Sequence, residues 1–233
     1  MEIKLDRKNP GQVFAALGLL YLAHHHAPDM QGAFAEDGFL IEGGEQAVKW
    51  ALLRLAEGEI AADGDGLRLA GMQARWWQRL SGLRTWGRKQ EVAEIARAAA
   101  RALRAQLVDG LDLELLFTAQ VVLRDGAGRR IAPTYVDARL SEWVTPPGSN
   151  ARAPCAPAVE LLVHIGLEMF PPLVGAWCYY YWVWGEALRC HQARALWASG
   201  AFAAGRALAW RAQARAGGWA WGWGKVVNDE KEE

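Results

Sequence analysis

The strongest constraint on the fold lies near the N-terminus, in Asn9-Pro10-Gly11-Gln12 and the apolar run that follows to about His26. Asparagine followed by proline is a helix start, because the amide caps an orphan N–H and proline takes the first helical position. Val13, Phe14, Leu17, Leu20 and Tyr21 then recur at spacings of three and four, which predicts one buried face. Gly18 falls in the middle of this helix, where glycine costs about 1 kcal/mol relative to alanine. The reason to keep a glycine there is close approach of another backbone.

The rest of the chain reads as short alternating elements. Ile3-Lys4-Leu5 is a candidate strand, and Ala33-Phe34, a turn at Glu36-Asp37-Gly38, and Phe39-Leu40-Ile41 form a hairpin pattern before a helix at about Glu45–Ala56. Asp63-Gly64-Asp65-Gly66 is a turn with too few carboxylates for a calcium loop. Lys89 to Val108 is helical, with Val92, Ala96, Ala99, Leu103 and Leu107 on one side and Arg97, Arg101 and Arg104 forming a basic ridge on another. Thr118 to Leu123 reads as a strand, Asp125-Gly126-Ala127-Gly128 as a turn, and Pro157 as the start of a helix halted by Pro171-Pro172. The stretch from Glu186 to Ala216 is Ala- and Arg-rich and helical in character; Trp219, Trp221 and Trp223 beyond it would share one face if extended.

These elements predict an α+β fold. It is a single mixed domain with short hairpins, amphipathic helices and an Ala/Trp-rich helical C-terminal part. Residues 1–150 would be the mixed α+β part and 151–233 a helical, Trp-rich part for packing and subunit contacts, or the two would form one continuous domain. With 233 residues, 52% of them hydrophobic, the chain can bury a sizeable core, which excludes global disorder. Three cysteines without CxxC spacing indicate neither a disulfide framework nor a zinc ribbon. The charged N-terminus lacks a signal-peptide core, so the expected location is cytoplasmic. Met169 to Gly185 is uncharged, but it is short for a span, begins beside Pro171-Pro172 and is rich in Tyr and Trp; a buried strand or core helix entry explains it better.

The 26 basic and 26 acidic residues cancel overall, yet they are segregated. Residues 1–66 carry five basic and eleven acidic side chains, whereas 67–104 carry nine basic and two acidic. That block is either an anion-binding face or a solvated helix face. Within it, Arg75-Trp76-Trp77, Arg79 and Leu83-Arg84-Thr85-Trp86-Gly87-Arg88-Lys89-Gln90 interleave arginine with tryptophan. Guanidinium groups bridge phosphates and indoles stack on bases, so this pattern suits nucleic acid; equally, the tryptophans could be core with only the arginines exposed. Nine of the thirteen tryptophans lie from Trp143 onward, which suggests a core supplemented by subunit interfaces.

Enzymatic signatures are missing. No GxSxG, HExxH, GxxxxGK[ST] or GxGxxG motif with strand and helix context occurs, and the carboxylates do not cluster at catalytic spacing. His24-His25-His26 point about 100° apart on a helix and cannot all reach one ion. The expectation is a non-enzyme with no cofactor and no metal.

Several of these motifs together resemble a known family. Asn9-Pro10-Gly11-Gln12-Val13-Phe14 with Gly18-Leu19-Leu20, then Gly32-Ala33-Phe34, Arg75-Trp76-Trp77, Leu83-Arg84-Thr85-Trp86-Gly87 with Gln90, Tyr135-Val136-Asp137-Ala138-Arg139, and Pro157-Ala158-Val159-Glu160-Leu161-Leu162 with Gly166-Leu167 and Phe170 follow in order. This series is similar to the large-subunit-like proteins of type I-G (formerly I-U) CRISPR-Cas systems, over about residues 2–190. The resemblance implies a subunit of Cascade, the surveillance complex in which guide RNA finds invading DNA by base pairing. Its partners would be the backbone and handle-binding subunits, crRNA and target double-stranded DNA, with a helicase-nuclease joining transiently.

On that resemblance, Arg75, Arg79, Arg84, Arg88 and Lys89 would contact phosphate, with the Arg97 and Arg101 ridge beside them. Trp76, Trp77 and Trp86 would stack or support, and Arg139 would read phosphate or base. Asn9 and Gln12, at a helix N-terminus, would either meet nucleic acid or simply cap the helix. Two rivals stay open: an assembly subunit that never touches DNA, and a metal-dependent nuclease built on the histidine run.

Overall fold

The computed structural model describes residues 1–63, 66–76, 92–134, 154–174 and 178–199, together with the backbone strands 207–212 and 223–227. Helix α1 (Pro10–His24) is the centre of the molecule. Asn9 caps it by accepting from the Gln12 N–H, as the sequence predicts. Burial is not confined to one face: every residue from Pro10 to Leu20, with Leu22 and Ala23, is buried. A helix apolar all round belongs inside a core.

Its closest neighbour is α4 (Pro157–Met169), and the two meet backbone to backbone. A Cβ on Gly18 would overlap the Leu162 carbonyl oxygen and stand 3.0 Å from the Gly166 nitrogen; one on Gly166 would overlap the Phe14 carbonyl oxygen. The mid-helix glycine therefore has the partner that its position requires, and Gly166 is the reciprocal one. α2 (Glu45–Glu57), α3 (Val92–Val108) and α5 (Cys190–Ser199) flank this pair.

Three antiparallel sheets accompany the helices. The first has β3 (Gly38–Glu42) between β1 (Glu2–Lys4) and β2 (Gln31–Phe34), with β9 (Leu188–Arg189) beyond β2. The pairing of Phe34 with Phe39 is the predicted hairpin, closed by a hydrogen bond from Ala35 N to Gly38 O. The second sheet, β4 (Ala61–Asp63), β5 (Gly66–Leu69) and β6 (Met72–Ala74), leads into Arg75. The third runs β11 (Trp223–Val227), β10 (Ala207–Ala212), β8 (Cys178–Trp182) and β7 (Leu173–Val174).

One continuous core extends from Ile3 to Trp197, so helices from either side of residue 150 share it. The expected mixed α+β class is what is observed, with two local corrections. The Ala- and Arg-rich tail is helical over Cys190–Ser199, but Ala207–Ala212 is a strand paired with β8, Ala207 opposite Trp182 and Arg211 opposite Cys178. Alanine's helix propensity, a few tenths of a kcal/mol per residue over its competitors, is outweighed there by pairing on both edges. Thr118 to Leu123 forms no strand, only a bridge from Val121 to Cys155. The 3-10 turn at Leu113–Leu115 continues into bonds from Thr118 N and Ala119 N to Leu115 O, which use the backbone a strand would need. Met169 to Gly185 is the end of α4 followed by β7 and β8. No helix among the described residues is long and apolar enough to cross a membrane.

Candidate nucleic-acid interface

Helix α4 carries a polar stripe on an otherwise apolar element. Glu160, His164 and Glu168 lie at i, i+4 and i+8, so they share one face. Each holds a different approaching segment. Glu160 Oε2 accepts from Thr134 N at 2.8 Å and from the Thr134 hydroxyl, with both residues buried. His164 Nδ1 accepts from the Trp76 indole N–H at 3.1 Å, and the rings stack with centroids 5.8 Å apart. Glu168 Oε2 accepts from Arg75 N at 2.8 Å. Indole can only donate, so the neutral His164 carries its proton on Nε2. Burial lowers the His164 pKa to about 4. The stripe thus anchors Arg75, Trp76 and Thr134 to α4.

Trp76 is 2% exposed and serves as this anchor, while Arg75 beside it is exposed. For that tryptophan the core reading holds. Asn9 and Gln12 are each 1% exposed, which corrects any expectation that they meet nucleic acid. Asn9 is the helix cap; Gln12 Oε1 accepts from Asp6 N at 2.7 Å and its Nε2 donates to Phe117 O at 3.2 Å. Their amides are committed to stitching the core. Trp77, Arg79, Arg84, Trp86, Arg88, Lys89 and Arg139 lie outside the described residues.

The predicted ridge on α3 is present. Arg97, Arg101 and Arg104 are exposed, whereas Ala93, Ile95, Ala96, Ala98, Ala99 and Leu103 are buried. Arg97 Nη1 donates to Ile60 O at 3.4 Å and Arg101 Nη2 to Arg124 O at 3.0 Å. Carbonyl acceptors orient a guanidinium without neutralising it. No carboxylate within ion-pair distance faces Arg97, Arg101 or Arg104 among the described residues.

The aromatic second half is largely interior where it is described. Trp182, Trp184 and Trp197 are buried, Trp184 donating to Gly32 O at 2.9 Å and Trp197 to Pro171 O at 2.7 Å. The histidines diverge: His24 Nδ1 faces Pro28 O, His25 Nδ1 faces Tyr21 O, and His26 stacks on Trp50. Among the described residues no three His, Cys, Asp or Glu side chains are grouped to hold a metal ion. Cys155 and Cys190 are buried, and burial pushes the Cys190 thiol up to about 11, far from a reactive thiolate. What the exposed face of α3 offers chemically is positive charge, oriented at Arg97 and Arg101. The chain matches no family model, no curated protein and no solved structure.

Proposed function

We propose that the chain is a non-catalytic, nucleic-acid-binding subunit of a type I CRISPR surveillance complex, contributing to PAM recognition and crRNA-guided binding of target DNA. The observation that carries this reading is the exposed row of Arg97, Arg101 and Arg104, whose charge no described carboxylate cancels. It lies in the same cationic block, 67–104, whose Arg75 and Trp76 are pinned to the α4 stripe that also holds Thr134. In such a complex base pairing supplies sequence discrimination, and the protein supplies PAM reading and attraction for the phosphate backbone. A row of oriented guanidiniums suits the second task.

The test is co-expression with the neighbouring genes and a CRISPR array, followed by purification through this subunit. Recovery of a defined complex with short guide RNA is the expected result. Purification alone and free of nucleic acid refutes the proposal and leaves an unrelated binding role to be sought.

A further inference from the structure

A second arginine cluster, outside the cationic block, is brought onto the same surface by the fold. Leu123 and Ile131, both buried, root a tight turn in the core, joined by a bond from Ile131 N to Leu123 O at 3.0 Å. Asp125 organises the turn: its Oδ1 accepts from Ala127 N and Arg129 N, and its Oδ2 from Arg129 Nε at 2.7 Å. Gly128 has φ +78°, a left-handed conformation that L side chains rarely adopt. Arg124 Nη1 donates to Gly128 O at 2.8 Å. The turn is docked on α3 by the bond from Arg101 to the Arg124 carbonyl.

This arrangement places like charges together. Arg124 and Arg130 are directly opposed in an antiparallel bridge, where paired like charges are destabilising. Among the described residues the carboxylate of this turn does not relieve it, because Asp125 is taken by Arg129. Arg104 and Arg130 hold no hydrogen bond or ion pair among the described residues, and both are exposed. With Arg97 and Arg101, these form a cationic surface that a polyanion would stabilise.

We infer that the 123–131 turn and the arginine row of α3 form one cradle for the phosphate backbone of duplex DNA, an inference that rests on the nucleic-acid reading above and extends it. Arg97 to Arg104 spans about 10 Å along the helix, at about 1.5 Å per residue. That matches roughly three axial rises of about 3.4 Å, the span between the first and last of about four successive phosphates of one strand. Neither 92–108 nor 119–134 contains an aromatic residue, so among the described residues these two elements lack the stacking platform on which single strands depend. Backbone contact to a duplex needs no such platform.

The test uses the full chain, a random-sequence DNA duplex of about 20 base pairs and a single strand of the same length, with affinity measured by fluorescence anisotropy over a salt series. Arg104→Ala with Arg130→Ala removes two guanidiniums that hold no other side chain or carbonyl in place among the described residues. The duplex salt slope should fall by about 1.8, about 0.9 per lost contact. Affinity at 0.15 M salt should fall about thirtyfold, that slope being integrated from a 1 M reference. Lysine at both positions should restore most of the slope. An unchanged slope in the alanine variant overturns the cradle, and if Arg84→Ala with Arg88→Ala then weakens binding, nucleic-acid binding itself survives. Loss confined to the single strand overturns the choice of duplex, and absence of binding to either probe by the unmodified chain refutes both readings.

Discussion

Gly166→Ala is the substitution with the most decisive consequence for this fold. The added methyl would overlap the Phe14 carbonyl oxygen and stand 2.7 Å from the Phe14 carbonyl carbon and 3.1 Å from its Cα. All three atoms belong to the backbone of a buried helix, so no side chain can swing aside. Helices α1 and α4 must separate by about 1 Å, a gap that forfeits roughly a quarter to a half of each dispersion contact along the crossing. Overpacking of a rigid core typically costs about 1–3 kcal/mol, and backbone against backbone belongs at the upper end. Alanine's better helix propensity returns about 1 kcal/mol. The expected net loss is about 2 kcal/mol. For a chain of this length that is a fall in Tm of about 4–8 °C, at roughly 2–4 °C per kcal/mol. Gly18→Ala, which overlaps the Leu162 carbonyl from the other side, should cost about the same. The double variant should cost clearly less than the sum, because one separation of the helices relieves both overlaps. Gly185→Ala is the control, with nothing within 4 Å of the new methyl. Urea unfolding followed by circular dichroism reads all four. A Gly166→Ala protein as stable as the unmodified chain, or fully additive losses, would refute the backbone-contact argument.

Two further outcomes follow from the buried polar groups. His164 has a folded pKa of about 4 against 6.5 for a free histidine, so between those values the unfolded chain binds a proton that the folded chain does not. Stability should be fully present above about pH 6.5 and fall by about 1.4 kcal/mol per pH unit on the way to 4, a part of the acid slope that His164→Gln removes in denaturant titrations at stepped pH. Asn9→Ala should cost about 1 kcal/mol through loss of the α1 cap, read as a lower denaturant midpoint. Its duplex DNA affinity should be unchanged under conditions where the chain stays folded, because Asn9 lies inside the protein; weakened binding would reinstate it as a contact.

How far the site was legible in the sequence differs between its parts. The α3 arginines were visible because three- and four-residue spacing fixes which side chains share a helix face, whatever the helix packs against. Trp76 was ambiguous: tryptophan beside arginine suits both stacking and burial, and only the His164 acceptor on α4 decides for burial. Asn9 and Gln12 were readable as a cap, but the partners that take up the Gln12 amide are Asp6 and Phe117, the latter 105 residues away. Nothing local in the sequence relates the arginines of the 123–131 turn to α3; the bond from Arg101 to the Arg124 carbonyl does.

What the sequence determined by itself was local or periodic: the Asn9-Pro10 helix start, the hairpin at Ala33–Ile41, the proline-bounded α4, and a glycine whose cost demanded a close neighbour. These follow from dihedral preference, capping and the 3.6-residue repeat, which act within a turn or two. The tertiary structure decided which backbone meets Gly18, why α1 is buried all round, and that Ala207–Ala212 is a strand. It also placed the Arg124–Arg130 turn against the α3 row. Each of these depends on contacts between residues far apart in the chain, where packing and strand pairing outweigh propensities worth tenths of a kcal/mol.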